Sequence, residues 1–345
     1  MVAVRPLRVE ELAEVLAVDF SMEAIPKLNI NWRSEDQEEA VISACSSLVM
    51  IVKSGNSRIV QFSHFSVKEF LTANRLAEPV RGVSRYHIRL SDAHTILAQA
   101  CLGVLLQLDD RVDRNNIEGF PLARYAAQYW ATHARSGDVS SSVNDGMEFL
   151  FDSDKPHFAT WLWIWDGYQD KAMSTSRPVT PEAVPLYHAA RLGFRDLADH
   201  LIADYPEHVS AQGGRERSPM HVAARGGYTD IISLLLEHGA AVDDRGIYGQ
   251  TPLHRASWNA NFDAAQCLLD RGADINAQNN DAWTPLFSAV VNGHVELVRM
   301  LLERGAAIDA WSSSGDSTAL GSTNEKDRSR TIVTRAWCLL SLVLS

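Results

Sequence analysis

The sequence predicts a mainly α-helical chain whose C-terminal portion is a solenoid of about four repeats. A helix-rich region with a small two-stranded element precedes it. Two landmarks recurring at one constant step predict the solenoid, and helices followed by two strand-like runs joined at Ser54-Gly55-Asn56 mark the earlier region. With 46% hydrophobic and 22% charged residues in 345, the chain has the composition of a folded globular protein.

The repeat is read from its opening tetrapeptides, Ser218-Pro219-Met220-His221, Thr251-Pro252-Leu253-His254 and Thr284-Pro285-Leu286-Phe287, which follow one another at a step of 33. Gly239-Ala240, Gly272-Ala273 and Gly305-Ala306 keep the same step, each after a Leu-Leu pair at 235–236, 268–269 and 301–302. A diverged first unit begins at Val184-Pro185-Leu186-Tyr187-His188-Ala189-Ala190, 34 residues upstream. It has Leu201-Ile202 in the paired position and Tyr205-Pro206 in place of Gly-Ala.

Each recurring residue has a mechanical role. The opening Ser or Thr can accept a hydrogen bond from the free N–H groups of a first helical turn, and the following Pro suits the first helical position, where no N–H is needed. Ala223-Ala224, Ala256-Ser257 and Ala289-Val290 are small enough for close packing of a short first helix. Gly227 and Gly293 suit the left-handed residue that ends it. Ile231, Leu234 and Leu235 then mark the inner face of a second helix, closed by Gly239, Gly272 and Gly305. Val242-Asp243, Ile275-Asn276 and Ile308-Asp309 open a finger leading to the next unit.

These residues resemble the ankyrin consensus T-P-L-H-x-A-A, with its downstream L-L-x-x-G-A and an Asp or Asn in the finger, over roughly residues 180–320. The resemblance implies a helix-turn-helix-finger solenoid over 184–320 that binds another protein through its concave face and finger tips. It also makes His221 and His254 inter-repeat hydrogen-bonding residues, not metal ligands. Phe287 departs from the consensus His, and Ala260 from the consensus Gly. After Gly315-Asp316-Ser317-Thr318-Ala319-Leu320 the pattern is lost, so 321–345 is expected to be a degenerate or disordered tail.

In the N-terminal region, Arg5–Leu12 opens a helix and Glu38–Leu48 reads as another. Leu48–Val52 and Arg58–Phe62 read as strands joined by the turn Ser54-Gly55-Asn56, and a further helix starts near Ser66. Helices followed by a two-stranded wing indicate a winged-helix-like domain over 1–85. The phrases RPLRVEELAEVLAV, CSSLVMIV and VQFSHFSVKEFL resemble the segment that follows the nucleotide-binding module in fungal NACHT-ankyrin (STAND-type) signalling proteins. No G-x-x-x-x-G-K-[ST] occurs, so the NACHT module itself is expected to be absent. A helical spacer over 88–170 follows, with helices at Ser91–Leu108, Leu122–Arg135 and the aromatic segment Phe158–Tyr168. The alternating Trp161, Trp163 and Trp165 suit core packing better than a ligand box. The Ser, Thr and Pro of 171–183 read as a linker.

Charge and motif content bound the function. Net charge is −3 over 1–110 (11 basic against 14 acidic side chains), −2 over 111–180 (7 against 9) and −6 over 181–345 (14 against 20). No region presents a net positive field to nucleic acid or to an anionic membrane. The helix preceding the wing begins Glu35-Asp36-Gln37-Glu38-Glu39 and would repel phosphates, and the wing offers only Lys53 and Arg58. Cys45, Cys101, Cys267 and Cys338 form no C-x-x-C pair, which fits reduced thiols in a soluble, cytoplasmic protein. There is no G-x-S-x-G or H-E-x-x-H. A Cys45, His64 and Ser66 nucleophilic set is weaker than a structural reading of those residues. No enzyme activity, cofactor, metal or small-molecule substrate is expected.

The resulting reading is a non-catalytic protein–protein interaction module. The alternatives are a regulatory or sensor fragment of a NACHT-type nucleotide-driven signalling ATPase, and a gene-model remnant without a function of its own, which the collapse of the pattern over Thr331–Ser345 suggests. Packing fixes the recurring positions of a solenoid and leaves others free, so recognition is expected at the non-consensus ones. A step of 33 through the first helices gives Arg225, Trp258 and Val291, then Gly226, Asn259 and Asn292. The finger tips add Arg217, Gln250 and Trp283, with Tyr248 beside them. Large amphipathic rings and Arg are typical interface anchors.

Overall fold

The computed structural model describes residues 3–20, 25–45, 48–63, 67, 69, 71–72, 89–113, 116–169, 183–214 and 218–307. Arg217, His64, Ser66, Cys338, residues 171–182 of the expected linker and the tail lie outside them, as does nearly all of the helix expected from Ser66. The chain divides into two compact units, Met1–Pro181 and Glu182–Ser345.

The first unit opens with α1 (Val9–Leu16), β1 (Val18–Asp19) and β2 (Lys27–Leu28), the two short strands pairing antiparallel. Helix α2 (Gln37–Cys45) and the hairpin β3 (Val49–Ser54) and β4 (Ser57–Phe62) follow. The hairpin register runs from Val49↔Phe62 to Ser54↔Ser57, and Gly55, at φ 59°, supplies the left-handed turn between them. The chain ahead of α1 extends the wing, because the Val60 N–H donates to the Leu7 carbonyl (2.9 Å) and Arg8 bridges Ile59. One residue from each layer, Val9, Val41 and Val60, is fully buried, with Leu12, Ala13, Val49 and Ile51 packed around them. The α1 apolar face, the single buried residue of α2 and the inward face of β4 thus form one core.

Helices α3 (Leu90–Leu105), α4 (Ala123–Ala134), α5 (Val139–Ser142), α6 (Asn144–Phe151) and α7 (Pro156–Gln169) complete this unit. The expected spacer helices are present, and the short α5 and α6 are additional. Helix α3 packs on β1 and β2 at Gly103, where an added Cβ would stand 2.8 Å from the Pro26 carbonyl oxygen. Buried Glu14 ties α1 to this region: it accepts the Leu122 N–H and pairs with Arg33. Phe158, Trp161 and Trp163 of the aromatic segment are buried. Trp161 packs edge-on against Trp130 (5.7 Å between ring centroids) and donates its indole N–H to the Ala127 carbonyl (3.0 Å). Trp165 stacks on Trp161, and Phe151 and Phe158 fill the same cluster.

Among the described residues the second unit holds four helix pairs. The first helices are α8 (Pro185–Leu192), α10 (Pro219–Gly226), α12 (Pro252–Trp258) and α14 (Pro285–Val291), each opening on its proline. The second helices are α9 (Arg195–Asp204), α11 (Thr229–Glu237), α13 (Phe262–Asp270) and α15 (Val295–Glu303). First helices pack on first helices along the array, and α9 packs on α11 and α11 on α13, so each repeat is buried against its neighbours. Ala223, Ala224, Ala256, Ser257, Ala289 and Val290 are all buried at these contacts. Gly239, Gly272 and Gly305 end the second helices at φ 87–91°.

No helix among the described residues is long and apolar enough to cross a membrane.

Candidate protein-binding surface

The repeat geometry fixes which groups are used up by packing. In the second and third repeats the consensus histidine forms a bridge. Its Nδ1 accepts the opening hydroxyl, from Ser218 to His221 (2.7 Å) and from Thr251 to His254 (2.9 Å). Its Nε2–H donates to a carbonyl 29 residues on, His221 to Gln250 (2.9 Å) and His254 to Trp283 (2.8 Å). A carbonyl can only accept, so the Nε2–H tautomer follows from the bonding. Burial keeps His254 neutral, with its pKa pushed down to about 4. Where Phe287 replaces the histidine, the Thr284 hydroxyl instead accepts the Phe287 N–H (3.3 Å), the capping bond expected of an opening Thr.

The fingers are joined in the same way. Asp243 accepts the Asp274 N–H, and Asn276, 33 residues later, accepts the Ala307 N–H (2.8 Å). Arg245 donates to the Gln278 carbonyl, and the Asn280 N–H to the Tyr248 carbonyl. Asn261, a position that sequence reasoning missed, ties adjacent repeats by donating its amide to the Ala224 and Arg225 carbonyls (2.9 and 2.7 Å).

Against this frame the expected contact residues fall into two groups. Asn259 and Asn292 are exposed, but each donates its amide to the carbonyl four residues back, Arg255 and Ser288, and so caps its own helix. Gln250 is half-buried and its backbone receives His221. Arg225 is exposed at the end of α10, with Gly226 after it, and Val291 is half-buried at the end of α14. Tyr248 stands 66% exposed with a left-handed backbone (φ 65°).

Trp258 and Trp283, 25 positions apart in sequence, come together: their rings lie within 10° of parallel with centroids 6.5 Å apart. Trp283 is half-buried and meets Phe287 edge-on at 4.8 Å, so Phe287 is the floor on which the pair rests. Trp258 is the outermost ring, 39% exposed. Two departures from the repeat consensus, a Trp ahead of the opening Thr and a Phe in place of His, were the sequence signal for this aromatic ledge. Sequence reasoning used only the first.

Burial pushes the Cys45 thiol up, away from thiolate, and Cys101 is fully buried with its pKa likewise raised. No group of three or more His, Cys, Asp or Glu that could hold a metal ion occurs among the described residues.

Residues 186–279 match the family described as ankyrin repeats (3 copies), residues 262–302 match ankyrin repeats (many copies), and residues 1–79 match the winged helix domain of GPI inositol-deacylase. The chain thus carries ankyrin repeats with a winged helix domain ahead of them. Among curated proteins it is similar to azaphilone pigments biosynthesis cluster protein L of Monascus ruber, 33% identical over 256 residues, covering 69% of this chain and 53% of that protein. The chain therefore spans about half the length of this relative. BCL-6 corepressor-like protein 1 of Mus musculus and of Homo sapiens is 33% and 34% identical over 80 residues, covering 20% of this chain and 4% of those proteins.

Proposed function

We propose that this chain is a non-catalytic protein-binding module whose partner docks on the ends of the first helices and the finger tips, with Trp258 as its anchor. The ankyrin array supports protein binding in general. The observation that carries the particular surface is the Trp258–Trp283 stack, a large amphipathic ring left exposed on a second ring where the repeat asks for neither. Tyr248 and Arg225 extend the surface with groups whose side chains the repeat frame does not prescribe.

The test compares immobilised full-length wild type with Trp258→Ala in capture from native extract. Loss of the captured protein, with an unchanged circular-dichroism melt, supports the surface; undiminished capture contradicts it. Trp258→Ala is the informative substitution because Trp283→Ala would also strip the edge-on partner of Phe287.

A second reading, a regulatory segment of a NACHT-type signalling ATPase, is favoured by the winged helix match over residues 1–79. Binding of this chain to a purified NACHT module, lost on disrupting the wing by Val60→Asp, would favour it. No such binding would leave the ankyrin surface as the working part.

A further inference from the structure

The first unit contains a cavity of about 480 Å³ where the chain ahead of α1, the tip of the β3–β4 hairpin and α4 meet. Arg5 and Arg8 come from the first, Ser54 and Ser57 from the second, Arg124 and Gln128 from the third. The rest of the lining is apolar, and among the described residues it holds neither a carboxylate nor an aromatic ring. In a chain of net charge −11, this gathers three guanidiniums, two hydroxyls and an amide around one hollow.

The neighbouring carboxylates set the charge. Glu11, 1% exposed beneath the cavity, takes both guanidinium nitrogens of Arg5 (2.6 and 2.8 Å) and lies 3.5 Å from Arg8. Glu118 pairs with Arg124. Three cations thus share two carboxylates, which leaves one positive charge in this set. Glu11 also fixes the Arg5 fork from behind, and Arg8 and Arg124 are 44% and 45% exposed.

We propose that this cavity is a docking site for a phosphorylated serine or threonine side chain of a partner protein. A phosphomonoester dianion matches the donor set, since guanidiniums and hydroxyls place several N–H and O–H groups on its three terminal oxygens. A nucleotide fits less well, because no ring lines the cavity for a base to stack on. Duplex DNA is disfavoured by the acidic α2 beside the wing, whose Glu38 engages Arg58. This site lies in a different unit from the Trp258 surface and does not depend on it.

Titration of the full-length chain with a phosphoserine peptide of neutral flanking sequence tests this, with its unphosphorylated counterpart, inorganic phosphate and ATP as comparisons. The expected result is saturable binding of the phosphopeptide, competition by inorganic phosphate, and no binding of the unphosphorylated peptide. Arg8→Gln with Arg124→Gln should weaken the phosphopeptide at least about tenfold without shifting the melt. If the double variant fails to fold, Arg124→Gln alone, at an exposed helix position, carries the test. Absence of saturable binding, unchanged affinity in the folded variant, or ATP binding more than about tenfold tighter than the phosphopeptide would each overturn the assignment.

Discussion

The His254 imidazole donates from Nε2 to the Trp283 carbonyl, 2.8 Å away, and so holds the finger that carries the aromatic ledge against the preceding repeat. The same ring takes the Thr251 hydroxyl on Nδ1. One neutral side chain therefore fixes a helix start and a finger, and only the neutral form can do both.

Burial of this imidazole makes the array acid-sensitive. The folded pKa of His254 is about 4, against an ordinary 6.5, and that of buried His188 is about 3. Between those values the unfolded chain binds protons that the folded chain refuses, so stability falls as pH drops from about 6.5 towards 4 and below. For His254 the full loss is on the order of 3 kcal/mol. Thermal melts of the wild type should shift down across that window, and His254→Phe should flatten the shift; a pH-independent melt would refute the linkage.

Two alanines occupy left-handed backbone. Ala260 (φ 59°) stands one repeat after Gly227 and one before Gly293, and Ala282 (φ 60°) one repeat after Gly249. A Cβ there costs roughly 1–2 kcal/mol, of which unfolded-state entropy gives back about 0.4–1 kcal/mol. Ala260→Gly and Ala282→Gly should each raise stability by up to about 1 kcal/mol in denaturant melts. A loss of stability in both would contradict the strain.

The 33-residue step made the repeat helices legible, because each landmark answers a local need: Pro at a first turn, Gly where a helix closes, small residues where helices touch. The departure at Ala260 was visible as a missing glycine, but its strained backbone was not, since the fold imposes that geometry from the neighbouring repeats. The wing hairpin was legible from Ser54-Gly55-Asn56 between two β-rich runs. Strands β1 and β2 were too short to show a period. Contacts between distant residues left no trace either. His133 bonds both His94 (2.9 Å) and Tyr125 (2.8 Å) inside the first unit, and the arginine-lined cavity gathers residues 5, 54 and 124. Of the surface, the Trp positions were readable as non-consensus rings, whereas the capping bonds of Asn259 and Asn292 needed the helix ends to be placed.

Leu268 is fully buried in the third repeat, on α13, which packs against α11 and α12. Leu268→Ala should cost about 2–5 kcal/mol. Because repeats stabilise one another, the loss should appear in the array as a whole. A change below about 0.5 kcal/mol in denaturant melts would be incompatible with this packing.

The chain should not retard a duplex DNA probe at physiological salt. The winged helix presents Glu38 and Glu39 on the helix before the wing, and one of the wing's two cations, Arg58, is engaged by Glu38. A retarded band that disappears on raising salt would contradict this prediction.

The docking surface is tested most directly by placing the photocrosslinking residue benzoylphenylalanine at position 258 in one full-length sample and at exposed position 299, on the second-helix side, in another. Irradiation in native extract should give a discrete adduct from position 258 and none from 299. An adduct from 299 with none from 258, or equal adducts from both, would contradict a partner docked on Trp258.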